Sequence, residues 1–391
     1  MRKVYLDNGA TSFPKPNSVA EAMTNYVVNI GGNVNRGSYN SSFDAENVVY
    51  ETRELLCELF NFSKPENVIF TGNITHSLNV VLKGFLKPGD HVIISSMEHN
   101  AVLRPLNALK DKGISYSVVP CNSLGELNPS DLHKYIKSNT KAVIMTHSSN
   151  ICGTIMPYEE IGKFCKENSL CFIADTAQTA GSIPIDMEKM NIDILCFTGH
   201  KGLLGPQGIG GFLIKDELAK ITSPLIEGGT GSFSEYEVQP HYMPDKFEGG
   251  TINIPGIFGL NASLKYLNEK GINNIRKHEM RLTKLFLDNI KGIEDIKVFG
   301  LPSVENRTPV VSIDFPRGDN GEISYILSKN YGVSVRCGLH CAPSAHKTIG
   351  TYPNGTVRFS FGPFNTEEDV LYTVNAIKEI IITLDNDGIC F

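Results

Sequence analysis

The amino-acid sequence predicts an α/β protein in which a large domain, built on a mostly parallel seven-stranded sheet, is joined to a smaller C-terminal α+β domain. Seven short apolar runs bounded by polar turns are typical of buried parallel strands. Helical patterns alternate with several of these runs, and that alternation favours a parallel sheet covered by helices. A chain of 391 residues is long enough for two domains with a sizeable core.

The predicted elements follow one another in the order that this architecture requires. Apolar runs predict strands at 67–70, 91–96, 115–119, 141–147, 170–174, 192–197 and 209–214. Helical patterns of apolar residues lie between them at 76–86, 99–112, 130–137 and 158–168. Residues 228–250 are rich in Gly, Ser, Glu and Pro and predict an irregular loop. Beyond it we expect helices at 257–267, 275–290 (bridging the domains) and 366–384, and strands at 307–314 and 333–336.

The composition argues against several classes of protein. A net charge of −6 gives no basic surface for nucleic acid, and no apolar run reaches membrane-spanning length. The first residues resemble the start of a signal peptide, but Asp7 and Asn8 precede any apolar core, so we expect none. Most of the nine cysteines stand alone in the sequence, as small core side chains do in a reducing compartment. We therefore expect a cytoplasmic protein without membrane or nucleic-acid partners.

The residues around Lys201 predict a site for pyridoxal phosphate (PLP). Residues 193–211 run from an apolar strand into a glycine-rich turn that contains His200 and Lys201. PLP needs a lysine amine, a carboxylate on its pyridine nitrogen and a phosphate cradle. Asp175 follows the strand at 170–174, at the edge where open α/β sheets bind ligands. Taken singly, Lys201 would usually be a surface lysine in a glycine-rich turn, and Asp175 would be a helix N-cap about as often as a ligand. Together with the other residue types that PLP needs, the pair favours the cofactor site.

Other residue types that the cofactor needs are also present. Gln178 is expected to donate to the phenolic oxygen of the ring, and His99, after the strand at 91–96, to cover the ring face. The turn and helix start at 70–79 would offer the amides of Ile74 and Thr75 and the Thr75 hydroxyl to a phosphate. Thr198 and His200 would add donors to the same phosphate.

A second group of residues, at 335–343 and 356–360, predicts sulfur chemistry. Two cysteines spaced C-x-x-x-C beside one histidine are a poor zinc signature, so we expect no metal. Arg336 and His340 are expected to favour the thiolate form of a nearby cysteine. Arg358 offers a planar fork for a substrate carboxylate, and Arg336 is a further substrate-binding candidate.

With these motifs, the sequence resembles the cysteine desulfurases of the class V aminotransferase family, and is most similar to the group that includes selenocysteine lyases. The resemblance extends over almost the whole chain. The segments that carry it are 5–11, 70–79, 98–99, 147–154, 174–178, 199–201, 247–251, 336–341, 358–360 and 364–366.

This resemblance implies roles for individual residues. Lys201 would be the Schiff-base lysine and Cys341 the nucleophile that forms a persulfide. Asn150 and Arg358 would bind the substrate carboxylate. The family is built as homodimers, and Thr251 would reach the phosphate of the neighbouring subunit.

The resemblance also implies the PLP-dependent transferase fold type I. Residues 15–256 would form the large PLP-binding domain, and residues 1–14 with 257–391 the small domain, including the bridging helix.

Several residues depart from the family pattern. Leu339 replaces the first histidine of the usual Gly-His-His-Cys, while Ile74 and His76 replace the usual threonine or alanine and glutamate. Cys337 and Cys152 are additional thiols, expected near the site.

The implied reaction converts L-cysteine or L-selenocysteine to L-alanine. Lys201 would remove the Cα proton, His99 would act as acid or base, and Cys341 would pass sulfur or selenium to an acceptor protein or thiol. One alternative is an aminotransferase or β-elimination lyase of the same family, which would need no thiol at Cys341. Another is a non-catalytic scaffold, which would be expected to lack Lys201 or Asp175.

Overall fold

The computed structural model describes residues 2–34, 37, 39–232 and 234–387, with the backbone alone from residue 384 onward. The strands are β1 (Val4–Tyr5), β2 (Val68–Thr71), β3 (His91–Ser95), β4 (Ser115–Val119), β5 (Thr140–Thr146), β6 (Cys171–Asp175), β7 (Ile194–Thr198), β8 (Gly210–Ile214), β9 (Lys297–Phe299), β10 (Val310–Asp314), β11 (Val333–Ser334), β12 (Arg336–Gly338) and β13 (Thr356–Ser360). The α-helices are α1 (Asn17–Asn25), α2 (Asn40–Phe60), α3 (Ile74–Phe85), α4 (Asn100–Lys110), α5 (Tyr158–Glu167), α6 (Asp216–Ile221), α7 (Ile254–Lys270), α8 (Ile272–Ile290), α9 (Asn320–Tyr331), α10 (Pro343–Ile349) and α11 (Glu367–Asp387).

The large sheet contains seven strands in the order β2-β8-β7-β6-β5-β3-β4. All neighbouring strands are parallel except that β8 runs antiparallel to β2 and β7. Each of the seven strands predicted from the sequence is present, so the mostly parallel α/β sheet is confirmed. The carboxyl ends of β5, β6 and β7 lie side by side, which brings the residues that follow them to one edge.

Both faces of this sheet are covered by helices because the strands are apolar on both sides. Ile93 belongs to a core that also contains Leu56 of α2, whereas its neighbour Ile94 packs with Leu78 of α3 and Val102 of α4. Successive strand residues point to opposite faces, so a continuous apolar run supplies two cores. Burying each large apolar side chain stabilises the fold by about 1.5–3 kcal/mol.

A second, four-stranded antiparallel sheet follows, in the order β12-β13-β10-β9. Its core combines side chains of β13 with those of α8, α9 and α11, and Val4 of β1 belongs to the same cluster. β1 pairs in parallel with β11, so the start of the chain packs against the C-terminal part. These contacts support a proposed division into a large domain, 15–256, and a small domain, 1–14 with 257–391.

Some predicted elements differ from those observed. The helix predicted at 130–137 is a 3₁₀ segment, Pro129–Tyr135, which starts at a proline capped by Asn128. The strand predicted at 307–314 begins only at Val310, because the Thr308 amide instead donates to the carbonyl of Gly153. The run at 333–336 divides between β11 and β12, which pair in different sheets.

The remaining elements predicted beyond residue 228 agree closely with the observed ones. Helices α7, α8 and α11 cover the segments predicted at 257–267, 275–290 and 366–384, and the described residues between 228 and 250 contain neither helix nor strand. None of the helices in the described part of the chain combines the length and hydropathy needed to cross a bilayer.

Candidate active site

A cavity of about 560 Å³ opens at the carboxyl edge of the large sheet, a volume typical of sites for small molecules and cofactors. All of the predicted cofactor-binding residues except Thr251 line it, together with the predicted substrate residue Asn150. Their side chains come from the ends of β3, β5, β6 and β7 and from the start of α3. The lining residues used below are Ile74, Thr75, His99, Asn150, Asp175, Gln178, Thr198, His200 and Lys201.

Lys201 lies in the turn between β7 and β8. The turn packs closely against residues 180–182, since a Cβ at Gly202 would lie 2.6 Å from the carbonyl oxygen of Ala180. Burial, reinforced by the positive charge of Arg358, lowers the pKa of Lys201 to about 8. A sizeable fraction of the amine is therefore neutral and nucleophilic near physiological pH.

Asp175 is the last residue of β6 and is almost fully buried. Its Oδ1 accepts a hydrogen bond from the Ala177 amide over 3.0 Å. Burial raises the pKa of Asp175, while that hydrogen bond and the charge of Lys201 act in the opposite direction. A buried carboxylate of this kind is stabilised by a cationic partner such as a protonated ring nitrogen.

His99 caps the N-terminus of α4 with its ring. Its Nδ1 accepts a hydrogen bond from the Ala101 amide over 3.0 Å. Burial and the charges of Lys201 and Arg336 lower the pKa of His99 to about 4, so the ring is neutral at physiological pH. Because Nδ1 is the acceptor, the proton of the neutral ring lies on Nε2.

The part of the cavity that is lined by Ile74, Thr75, Thr198 and His200 is suited to a phosphate. The first backbone amides of a helix have no intrahelical partners. In α3 the side chain of Asn73 accepts a hydrogen bond from the His76 amide, whereas the amides of Ile74 and Thr75 lie at the cavity and are suited to an anion. Thr198 Oγ1 and His200 Nδ1 are buried and have no hydrogen-bond partner among the described residues. Such orphaned polar atoms are costly unless a ligand satisfies them, so the residues fit the phosphate of PLP.

Gln178 lines the cavity, and its Nε2 donates to the carbonyl of Gly9 over 3.1 Å. One N–H of the amide is thus engaged by the N-terminal segment. The second N–H is the one that would meet the phenolic oxygen of a bound ring, as predicted.

Cys341 lies in a tight loop after β12. Both His340 and Cys341 adopt the left-handed region, with φ of 49° and 59°, which is uncommon for residues other than glycine. Two hydrogen bonds hold the loop at the cavity: Asn100 N donates to Cys341 O over 2.9 Å, and Asn150 Nδ2 to His340 O over 2.8 Å. The thiol is exposed, and Arg336 Nη2 lies 3.9 Å from Cys341 Sγ.

The expectation that His340 favours the thiolate is wrong. Its ring is buried, and burial together with the charge of Arg358 lowers its pKa to about 2, so it is uncharged at physiological pH. Nε2 lies 3.1 Å from the carbonyl of Arg336, and Nδ1 lies 3.4 Å from Nε2 of His346, which stacks on it. His340 therefore supports the loop from inside, and Arg336 is the cation next to the thiol.

Arg358, the predicted carboxylate fork, is already paired in this structure. Its Nη2 donates to Asp7 over 2.8 Å and its Nη1 to the carbonyl of Asn150 over 3.0 Å, while Nε has no partner among the described residues. Sequence reasoning missed the role of Asp7, although residues 5–11 belong to the segments that carry the family resemblance. The ion pair joins the N-terminal segment to β13.

The residues that line the cavity do not include Cys341, Arg336 or Arg358, nor the two additional thiols. Cys152 is buried, with its sulfur 3.3 Å from the hydroxyl of Thr154. Cys337 is exposed on β12. Thr251 is exposed and borders a separate small depression with Asn33 and Glu248. Among the described residues no group of His, Cys, Asp or Glu side chains is arranged to hold a metal ion.

The mostly parallel seven-stranded sheet, with Lys201 and Asp175 at its carboxyl edge, has the fold of the PLP-dependent transferases of fold type I. Two of the solved structures that are similar to this chain are cysteine desulfurases of that fold. The chain belongs to the class-V aminotransferase family, whose sequence profile matches residues 4–372.

Individual relatives agree over nearly the full length. A probable cysteine desulfurase of Pyrococcus abyssi is 34% identical and covers 97% of this chain and 95% of its own, and one of Methanothermobacter thermautotrophicus is 32% identical, covering 96% and 94%. The apo structure of a cysteine desulfurase from Thermococcus onnurineus superimposes with a TM-score of 0.91 at 33% identity, covering 97% of this chain and 95% of that one. An Escherichia coli cysteine desulfurase in its S-sulfonic acid form gives 0.87 at 29% identity, with the same coverage.

Proposed function

We propose that this chain is a PLP-dependent cysteine desulfurase that converts L-cysteine to L-alanine and takes the sulfur onto Cys341 as a persulfide. L-selenocysteine is the second substrate of the proposal, and an acceptor protein or thiol receives the sulfur or selenium. The observation that carries it is an exposed thiol in a strained loop, anchored at the cavity through Asn100 and Asn150. The names of the relatives support the same activity.

Different residues of the cavity would hold the cofactor and accept the Cα proton of the substrate. PLP, when bound, withdraws electron density from the substrate Cα. Asp175 would hold a proton on the ring nitrogen, and His99 would cover the ring. Lys201 Nζ, neutral at the pH where it works, would take the Cα proton and later return one.

Cys341 would then act on the substrate sulfur directly. Its thiolate attacks Sγ, so that an S–S bond forms as the Cβ–Sγ bond breaks and the bonding pair remains on the three-carbon fragment. Two protons complete that fragment as alanine. Arg336 Nη2 lies 3.9 Å from Cys341 Sγ and places a positive charge beside the attacking sulfur. His99 Nε2–H is a candidate donor for one of the protons.

The substrate carboxylate would be bound by Arg358 and Asn150. Arg358 is almost fully buried and Asp7 occupies one arm of it, so a bound carboxylate would share the guanidinium with Asp7 or take its place. A planar guanidinium offers five donors, enough for Asp7 and a substrate carboxylate together.

An aminotransferase or β-elimination lyase of the same family is the competing proposal. It would use Lys201 and Asp175 in the same way and would leave Cys341 without a purpose. The exposed, anchored thiol favours the desulfurase.

The test is a single turnover of the cofactor-loaded enzyme with L-cysteine and, separately, with L-selenocysteine. Alanine is quantified and the Cys341 peptide is weighed by mass spectrometry. We expect alanine in amounts equal to the active sites and one added sulfur atom on Cys341 after reaction with L-cysteine. Release of pyruvate, or turnover that requires a keto acid, would instead establish the competing reaction.

A further inference from the structure

The segment at residues 11–15 contacts the backbone of the turn that carries Lys201. The carbonyl oxygen of His200 accepts a hydrogen bond from the Ser12 amide over 3.0 Å and from the Thr11 hydroxyl over 3.1 Å. The ammonium group of Lys15 donates to the same oxygen over 2.8 Å. Three donors therefore converge on the carbonyl of the peptide bond that joins His200 to Lys201.

Lys15 also reaches the next carbonyl of the chain through a hydroxyl group. Its Nζ donates to Ser12 Oγ over 2.7 Å, and that hydroxyl donates to the carbonyl oxygen of Lys201 over 2.9 Å. The Ser12 hydroxyl also lies 3.2 Å from the carbonyl oxygen of His200. A hydroxyl has one proton, and the shorter contact assigns it to the carbonyl of Lys201. One ammonium group thus fixes both carbonyls that flank the α-carbon of Lys201.

The position of Lys201 depends on such contacts because the residue lies outside regular structure. It belongs to a turn, and within the turn only the Leu204 amide adds a backbone hydrogen bond to its carbonyl, over 2.8 Å. Hydrogen bonds from a charged donor are roughly twice as strong as neutral ones. An error of about 1 Å in the placement of a reacting group costs on the order of 10²-fold in rate.

We propose that Lys15 is a positioning residue for Lys201, whose ammonium group fixes the backbone from which the Lys201 amine is aimed at an aldehyde and at a substrate proton. The proposal rests on the proposed function in so far as Lys201 is the amine that combines with PLP. Lys15 itself touches neither cofactor nor substrate.

The charge state of Lys15 is compatible with this role. Burial lowers the pKa of Lys15 to about 8, so the ammonium form predominates at neutral pH. The charge of Lys15 also contributes, after burial and the charge of Lys201, to the lowered pKa of His200. A neutral His200 keeps one ring nitrogen available as a donor and the other as an acceptor.

The experiment measures how fast Lys201 captures PLP, without turnover. Apoprotein is mixed with PLP, samples are reduced with borohydride at intervals, and labelled Lys201 is quantified by peptide mapping. In Lys15→Met, which keeps the length of the side chain but has no donor, we expect capture to slow about ten-fold, from a small displacement of the amine. Lys15→Arg, which keeps a charged donor, should restore most of the rate. Lys112→Met, at an exposed lysine in the turn that follows α4, is the matched control.

A second measurement separates positioning from folding. With L-cysteine, Lys15→Met should lower kcat with KM nearly unchanged, and its thermal midpoint should stay close to that of the control. Capture and kcat equal to those of Lys112→Met would overturn the proposal. So would a folded Lys15→Arg that fails to recover any capture, because the charged donor would then be irrelevant. If no variant and not even the unmodified protein forms alanine, the desulfurase proposal fails, while the capture rates still decide the role of Lys15.

Discussion

The register between β12 and β13 separates Cys337, an exposed thiol on β12, from Cys341 in the loop that follows. Arg336 is paired with Arg358, and Cys337 with Val357, which is buried in the core of the small sheet. Paired residues share a face and successive residues alternate, so Cys337 lies on the face opposite Arg336. Arg336 is the side chain that contacts Cys341. The structure therefore directs Cys337 away from the thiol that the sequence marks as the nucleophile.

This difference leads to a prediction that also separates sulfur from selenium. Cys341→Ala should abolish alanine formation from L-cysteine, with a loss of at least about 10²-fold, because a thiol leaves poorly without a nucleophile on sulfur. Some activity on L-selenocysteine should remain, since the selenol is more acidic and the C–Se bond weaker. Cys337→Ala, the control on the other face, should change both rates little. Full activity of Cys341→Ala on cysteine would remove this residue from the mechanism, and equal loss on both substrates would show that selenium also needs the thiol.

Asp175 provides a second prediction at this scale. The amide in Asp175→Asn is unable to hold the ring nitrogen protonated, so turnover should fall about 10²-fold, as when a preorganised electrostatic partner is lost. The residues predicted to hold the phosphate, Thr75, Thr198 and His200, are unchanged, so the variant should still purify with nearly full cofactor content. Absorbance and cofactor release after denaturation measure that content. Recovery of mainly apoprotein would identify Asp175 as a structural residue.

The lowered pKa of Lys201 predicts how PLP capture depends on pH. Only the neutral amine attacks an aldehyde, and its fraction rises with pH until the pKa is passed. Capture by apoprotein should therefore increase about ten-fold per pH unit between pH 6 and 7 and stop rising near the pKa of about 8. Above that pH the rate should decline, because Lys15, whose pKa is also about 8, loses the charge proposed to position Lys201. Nα-acetyl-lysine, treated in parallel, should keep rising toward its ordinary value. A protein profile that followed the model amine would contradict the effect of burial and of Arg358.

Which residues the sequence predicted depended on where they lie in the chain. Lys201, Asp175 and His99 each follow an apolar strand, and parallel strands deliver their carboxyl ends to one edge, so their meeting in one cavity was predictable. The pairing of Asp7 with Arg358 and of Lys15 with the His200 carbonyl joins residues far apart in sequence. Such contacts leave no local pattern. The catalytic and binding roles themselves remain predictions that the experiments above address.

At the scale of elements, β2 is an edge strand whose outer side is covered by a buried ion pair. Arg53 of α2 contacts the carbonyl of Val68 and is paired through two nitrogens with Glu248, which accepts from the Phe70 amide over 2.7 Å. The guanidinium also lies 4.6 Å from the centre of the Phe70 ring. The pair takes the place of a neighbouring strand and ties residues 247–251 to the strand that leads into the phosphate turn.

Because both partners are buried, removing one should be strongly destabilising. We expect Glu248→Gln to lower the free energy of unfolding by about 3–5 kcal/mol, since it leaves the Arg53 charge without its partner. Glu51 lies on α2, the helix that also carries Arg53. Glu51→Gln breaks an exposed ion pair with Lys265 and should lower the free energy of unfolding by at most about 1 kcal/mol. Urea unfolding of both variants measures the difference. Equal stabilities would show that the buried pair contributes no more than the exposed one.

Elements that the sequence did not predict have mixed patterns. Helix α2 buries Ser42, Thr52 and Arg53 on its inner face, which weakens the contrast between its apolar and polar sides. Strand β13 contains the buried Arg358, a charge that is atypical of a core strand. The strands of the large sheet are short and mostly apolar, and for that reason the sequence identified all seven.

At the scale of the whole molecule, the single chain leaves apolar side chains in water. Val27, Val28 and Val238 are 65%, 71% and 71% exposed. Thr251, predicted to contact a phosphate, lies outside the cavity of its own chain. Both observations support the proposed homodimer, in which Thr251 reaches the site of the second subunit, and symmetric dimers are the commonest oligomers.

The last prediction tests this arrangement by mixing two inactive variants. Lys201→Ala lacks the amine in its own site, and Thr251→Asp would place a negative charge against the phosphate bound by its partner. In a mixed dimer one site carries both defects, while the other combines an intact Lys201 with an intact Thr251. If half the dimers are mixed, co-expression should restore about one quarter of the wild-type turnover.

The control is a mixture of Lys201→Ala and Asp175→Asn, which should restore no turnover. Each of these two substitutions disables the site of the chain that carries it, so every dimer has two defective sites. Sedimentation should show dimers in both mixtures. A fully active monomer, or no recovery in the first mixture, would place Thr251 outside the neighbouring site.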